Sequence, residues 1–158
     1  MAFDAPSLKG RALRLLSQRE HSRAELERKL ARHEEEPGTL AKALDELAAN
    51  NFISEPRVVA SVLHQRASRS GALRIRQELQ AKGVAPEAIA EAVASLQNTE
   101  VERALALWRR RFGAPPADAK ERARQVRFLM ARGFSGAVAS KVLRSDVGDH
   151  FDESPPDE

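Results

Sequence analysis

The chain has 158 residues, 42% hydrophobic and 31% charged, with only 4% aromatics and no tyrosine. That is enough apolar material for one soluble domain or a few small units sharing a core. The absence of cysteine excludes a disulfide framework and any thiolate metal site.

The net charge of +3 is unevenly distributed. Residues 146–158 carry six acids and no Lys or Arg, so residues 1–145 hold all 26 cations against 17 carboxylates. Residues 114–145 alone have seven cations against two acids. A basic body with an acidic tail points to a polyanionic or acidic partner. An arginine-rich composition by itself, with 20 Arg to 6 Lys, accounts for part of the excess. The stretch MAFDAPSLKG lacks the apolar core expected of a signal peptide, and the apolar run Val58–Leu63 is too short to span a bilayer. A cytoplasmic, monomeric protein is expected.

Alanine, leucine, arginine and glutamate dominate, which predicts an all-α fold. In chain order, Ser7 precedes a helix, and Ser22 with Glu25 forms a capping box before Leu26 and Leu30. A loop over 34–38 leads into Leu40, Leu44 and Leu47 at helical spacing, and Asn50-Asn51 stops that helix. Ser54-Glu55-Pro56 opens the next helix, which carries Val59 and Leu63 and is expected to end near Ser70-Gly71. Ile75 and Leu79 mark a further helix up to Gly83, and Pro86 starts another with Ile89, Val93 and Leu96. Thr99 with Glu102 reads as a second capping box before Leu105 and Trp108. Gly113-Ala114-Pro115-Pro116 breaks that helix, Asp118 caps the next, and Ser135 caps the last.

Apolar positions recur 49 residues apart, from Leu26 to Ile75, Leu30 to Leu79, Leu40 to Ile89, Leu44 to Val93 and Leu47 to Leu96. The same offset links Ile89 to Val138, Val93 to Val142, Val59 to Trp108 and Leu63 to Phe112. We read three tandem three-helix repeats, at 7–52, 53–97 and 98–145, between a short tail at 1–6 and an acidic, disordered tail at 146–158. Units of that size bury little core alone, so stacking is expected, as an elongated, curved array on the order of 60 Å long.

No catalytic or cofactor pattern stands out. The histidines, His21, His33, His64 and His150, form no HxxxH or HxxE pair, and surface roles are expected for His21 and His150. No phosphate loop occurs; glycines 71, 83, 113 and 133 sit at helix ends. The acids Glu25, Glu27 and Glu34–Glu36 read as solvated. What remains is cationic. Arg57, Arg66 and Arg69 lie on one helix of the second repeat, and Arg74, Arg76 and Lys82 on the next. Arg109, Arg110 and Arg111 form a run, and Arg122, Arg124, Arg127 and Arg132 follow Asp118. Arg74, Glu78 and Lys82 can pair on one helix face, for only ~0.2–0.5 kcal/mol per pair. Arginine's planar fork suits phosphate or carboxylate, so a nucleic-acid backbone and an acidic protein groove are both open as partners. Base stacking is not indicated, because exposed aromatics are few.

Three segments carry a family likeness. RALRLLSQREHSRAELERKL, NFISEPRVVASVLHQRASRSGALRIRQELQAKGV and FLMARGFSGAVASKVL resemble, in order, the opening, middle and closing repeats of the RecX family. The match spans roughly residues 8–145. The resemblance implies a three-repeat, all-helical, non-enzymatic regulator that binds RecA or the groove of the RecA–DNA filament. Such a protein inhibits filament extension, ATP hydrolysis and strand exchange, and so tempers recombination, DNA repair and the SOS response. It also implies contact with single- and double-stranded DNA. Where the family has an acidic pair and an aromatic, this chain reads Ile53-Ser54-Glu55-Pro56-Arg57-Val58. That spares the helix start but removes any contact the family makes through those side chains. The rival reading is a free-standing helical DNA-binding protein that acts without RecA.

Overall fold

A computed structural model describes the backbone of residues 5–149 and the side chains of residues 5–145. Those residues form helices and no strands. They are α1 (Leu8–Gln18), α2 (Arg23–Leu30), α3 (Thr39–Ala49), α4 (Glu55–Arg66), α5 (Ala72–Ala81), α6 (Pro86–Gln97), α7 (Glu100–Arg111), α8 (Ala119–Ala131) and α9 (Gly136–Asp149), with a 3-10 turn at Ala31–His33. The all-α, three-helix-repeat expectation therefore holds. The last helix continues to Asp149, past the expected start of the acidic tail at 146; the rest of that tail lies outside the described residues.

The caps expected at Ser7, Ser22, Asp118 and Ser135 form, and the one expected at Thr99 does not. Ser7 Oγ accepts the Gly10 amide at 3.0 Å, and Asp118 Oδ1 accepts the Glu121 amide at 2.8 Å. Ser135 Oγ accepts the Val138 amide at 3.2 Å. Ser22 and Glu25 exchange both bonds of a capping box, each at 3.2 Å. Asn51 takes φ 63° after α3, the left-handed stop expected there. Thr99 makes no capping box. Its backbone (φ −116°, ψ 1°) is not extended, so Oγ1 cannot face the first-turn amides. Oγ1 instead donates to the Leu96 carbonyl and accepts from Arg103 Nε. The helix α4 stops at Arg66, short of the expected Ser70.

Chain contacts divide the molecule into two compact units. One comprises the described residues through Val62 together with Glu78–Ile89; the other comprises Leu63–Gln77 and the described residues from Ala90 onward. Inside the first, α1 packs on α3 and α2 over a core of Ala12, Leu26, Leu30, Leu40, Leu44 and Leu47. Inside the second, α7 and α8 pack on α9 over Ala104, Trp108, Leu129, Phe134, Ala139, Val142 and Leu143. The Trp108 indole N–H is satisfied by buried Gln125 Oε1 at 2.8 Å.

Buried positions correct the single 49-residue offset. On the first helices they recur 46 apart, as Ala12, Val58 and Ala104, and then Val62 and Trp108. Val59 and Leu63 are only partly buried, so their pairing with Trp108 and Phe112 was three residues out of register. Second and third helices keep 49 from the first repeat to the second, then move to 50: Leu79 to Leu129, Ile89 to Ala139 and Val93 to Leu143. Val138 and Val142 are thus not the partners of Ile89 and Val93. The connecting loops differ in length, so no single offset can hold for all three helices.

Two glycines do more than end helices. The Gly71 amide donates to the Arg132 carbonyl at 2.8 Å, and the Leu73 amide to the Gly133 carbonyl at 3.2 Å. The start of α5 thus lies against the end of α8. A Cβ on Gly71 would collide with the Gly133 backbone, and a Cβ on Gly133, where φ is +89°, would meet Arg74.

The expectation that His21 and Glu25 lie at the surface is overturned. His21 is 1% exposed and Glu25 6%. Glu25 accepts from Arg19 Nη2 at 2.7 Å, from Lys82 Nζ at 3.0 Å and from the Ser22 amide. Burial opposes its ionisation, but these donors outweigh it and hold the carboxyl at about 2. His21 Nδ1 lies 3.0 Å from the Arg19 carbonyl, which can only accept, so Nδ1 carries the proton. Nε2 then accepts from the Lys29 ammonium at 3.0 Å. Burial is the main cause that pushes His21 below its ordinary value; the Arg19 and Lys29 charges add to it against the Arg19 carbonyl bond.

Both groups weaken the fold in acid. His21 is lowered in the folded state, so its contribution is complete above the unfolded value of 6.5 and declines below it. Glu25 contributes fully above its unfolded 4.5 and loses that contribution as pH falls through about 2. Urea unfolding from pH 8 to 2 is expected to show stability falling in these two windows. Glu25→Gln should abolish the lower one and cost about 3 kcal/mol at pH 7.

Candidate interaction surface

The cations singled out in the sequence separate into two kinds. Arg57 and Lys82 are taken up by the fold. Arg57 Nε donates to Glu20 Oε1 at 2.9 Å and Nη2 to the Asn51 carbonyl at 2.7 Å. Lys82 is only 17% exposed and bonds to Glu25, so it is not the surplus charge it looked to be. Arg69 lies 3.4 Å from the Gln65 carbonyl. Arg66 and Arg109 are exposed and engaged within the chain. Arg74, Arg76, Arg110 and Arg127 are exposed.

The third repeat gathers several of these. Phe112 and Phe128 meet edge to face, with centroids 5.1 Å apart at 83°. Three guanidinium groups lie over these rings. Arg111 is 5.3 Å from the Phe112 centroid and 5.8 Å from that of Phe128, Arg124 is 5.6 Å from Phe112, and Arg132 is 3.8 Å from Phe128. The ring faces attract the cations and hold them together despite their mutual repulsion. Arg124 also lies 3.4 Å from Glu121. Beside it, Lys120, Arg124 and Arg127 with Asp118 and Glu121 line an open groove of about 390 Å³. The Gly71–Arg132 and Leu73–Gly133 bonds bring Arg74 against the same helix end.

Arg103, absent from the sequence-derived candidates, is tied to three backbone carbonyls of this unit. Its Nη1 donates to the carbonyls of Ala67 (2.7 Å) and Ser70 (2.9 Å), and its Nη2 to that of Leu96 (3.3 Å). Burial pushes its guanidinium below the ordinary arginine value, against the pull of Glu100. Glu100 Oε1 accepts the first amide of α5, from Ala72, at 3.1 Å. No local pattern marks Arg103 as different from its neighbours. The aromatic supports were more legible, since Arg124, Phe128 and Arg132 stand one helical turn apart.

Among the described residues, no group of three or more His, Asp or Glu side chains could hold a metal ion. None of their helices is long and apolar enough to cross a membrane. Fold and surface together define a class: a helical-repeat protein that displays arginines at its surface.

Comparison with known proteins narrows the class. Models of the first, second and third RecX three-helix domains match residues 9–47, 54–93 and 98–143. A regulatory protein RecX of Leptothrix cholodnii is 57% identical over 152 residues, covering 95% of this chain and 96% of the relative. One from Ralstonia nicotianae is 53% identical over 138 residues, covering 87% of each. The crystal structure of RecX from Lactobacillus salivarius shares the fold, with TM-score 0.74 at 19% identity over 89% of this chain and 95% of that one. This chain belongs to the RecX family, whose named relatives are regulatory proteins.

The arginine–phenylalanine cluster is testable by itself. In a double-mutant cycle of Arg132→Gln and Phe128→Leu, urea unfolding should give a coupling of about 0.5–1 kcal/mol. Strict additivity would mean that the ring does not hold the guanidinium.

Proposed function

We propose that this chain regulates the RecA recombinase by binding RecA or the groove of the RecA–DNA filament. Binding there inhibits filament extension, ATP hydrolysis and strand exchange, and so tempers recombination, DNA repair and the SOS response. The observation that carries the reading is the match to all three RecX domains, in order, along one chain. The arginines of the third repeat supply a suitable surface. Guanidinium groups fixed on aromatic rings meet carboxylate or phosphate with little further ordering cost. Arg111, Arg124, Arg127 and Arg132 form the centre of this contact, with Arg74 beside them. Arg66, Arg69, Arg76, Arg109 and Arg110 add positive charge that steers the encounter. Action on a RecA filament places the protein in the cytoplasm.

A second reading, direct DNA binding without RecA, is favoured by Lys120, Arg122, Arg124 and Arg127 following one another along α8. The two readings differ in their response to salt. If ~5 phosphates are neutralised on naked DNA, log affinity should fall with log salt at a slope near −4.5.

The test is DNA-dependent ATP hydrolysis by RecA with the chain titrated in. Hydrolysis should fall, and Arg124→Glu with Arg127→Glu should raise the concentration needed by about tenfold, or about 1.4 kcal/mol. Unchanged hydrolysis at several-fold excess over RecA, with tight and steeply salt-dependent binding to naked DNA, would instead support the second reading.

A further inference from the structure

The cations of the third repeat outnumber the carboxylates that could answer them. Residues 114–145 have seven cations against two acids, a net of +5. Of the two acids, Asp118 caps α8 through Oδ1, and Glu121 lies 3.4 Å from Arg124. Arg111, Arg127 and Arg132 make no ion pair with any described carboxylate. The rings of Phe112 and Phe128 hold Arg111, Arg124 and Arg132 in place but leave their charge uncompensated. Arg111, Arg124 and Arg127 are exposed.

The acidic segment of the chain follows this repeat directly. Residues 146–158 hold six acids and no Lys or Arg, close to an equal and opposite charge. Asp146 and Asp149 belong to α9, and the nine residues after it, HFDESPPDE, carry Asp152, Glu153, Asp157 and Glu158. Nine extended residues reach up to ~30 Å. With 14 residues, α9 is ~21 Å long. The segment is therefore long enough to run back along α9 to the turn where Arg132 packs on Phe128. Its spacing also fits. A proline pair favours an extended chain, in which Glu153 and Asp157 stand ~12 Å apart. Arg124 and Arg132, eight positions apart along α8, are separated by the same rise of ~12 Å.

We infer that residues 150–158 dock on the arginine face of α8, with Glu153 and Asp157 meeting guanidinium groups two helical turns apart. Carboxylate–guanidinium pairs are charge-assisted and bidentate. The tether keeps the acids at a roughly millimolar effective concentration, so pairs that are weak between separate molecules form within one chain. Pro155 and Pro156 lower the cost of ordering the segment. An incoming carboxylate or phosphate must displace it to reach Arg124, Arg127 and Arg132. The inference stands apart from the RecA reading, because it concerns the chain alone.

The experiment is paramagnetic relaxation NMR of the full chain. The sequence has no cysteine, so Ser154→Cys gives a single site for a nitroxide label. At about 0.01 M salt the label should broaden the guanidinium N–H signals of Arg124, Arg127 and Arg132. Raising salt to about 1 M should remove more than half of that broadening. So should neutralising the segment with Asp152→Asn, Glu153→Gln, Asp157→Asn and Glu158→Gln, changes that leave the helical cores untouched. No broadening of these arginines at low salt overturns the inference, and so does broadening that survives either change. Stronger broadening at Arg11 and Arg14 of α1 would place the segment on another surface and overturn it equally. Broadening of a ¹⁵N chain without label by a labelled chain without ¹⁵N would do the same, because the occupant would then be a second copy.

Discussion

Short helices end often, and each end leaves backbone amides or carbonyls without partners. A chain built from helices of 8 to 14 residues must find many such partners, and here charged side chains supply several of them. Arg103 collects carbonyls of Ala67, Ser70 and Leu96, and Glu100 takes the first amide of α5. Glu34 accepts the Leu40 amide, Glu55 the Ala85 amide, and Arg28 reaches the Ala81 carbonyl. The fold depends on this use of charge, because apolar cores this small cannot offset many buried, unpaired backbone groups.

The same constraint sorts the arginines. Those bound to helix ends are fixed structural parts, while others are held over aromatic rings or extend into solvent. Charge counts along the chain cannot separate the two kinds. A regulator that binds an acidic or phosphate-bearing partner uses the second kind, and its net positive charge overstates how many are available. Each compact unit displays arginines of the second kind, Arg111, Arg124 and Arg132 over Phe112 and Phe128 in one and Arg11 and Arg14 along α1 in the other.

Much of this architecture was legible in the residues. Side-chain caps, stops and apolar spacings act locally, so Ser7, Ser22, Asn51, Asp118 and Ser135 could be read correctly. Thr99 misled because a cap also needs an extended backbone, which residue identity does not show. His21, Glu25 and Lys82 were misjudged because their burial is set at a distance: Glu25 and Lys82 are 57 positions apart. Gly71 likewise answers to Gly133, far along the chain. The repeat register drifted for a similar reason, since loop lengths vary while helix faces do not. Family likeness supplied the regulatory reading, which neither charge nor periodicity could reach alone.

The sorting of arginines is the claim on which the rest stands, and unfolding free energy tests it most directly. Measured by urea at neutral pH, Arg103→Gln should lose about 2–4 kcal/mol, because it strands several carbonyls at helix ends. Arg127→Gln should stay within about 0.5 kcal/mol of the parent. Equal losses for the two would contradict the account, since structural and displayed arginines would then be the same.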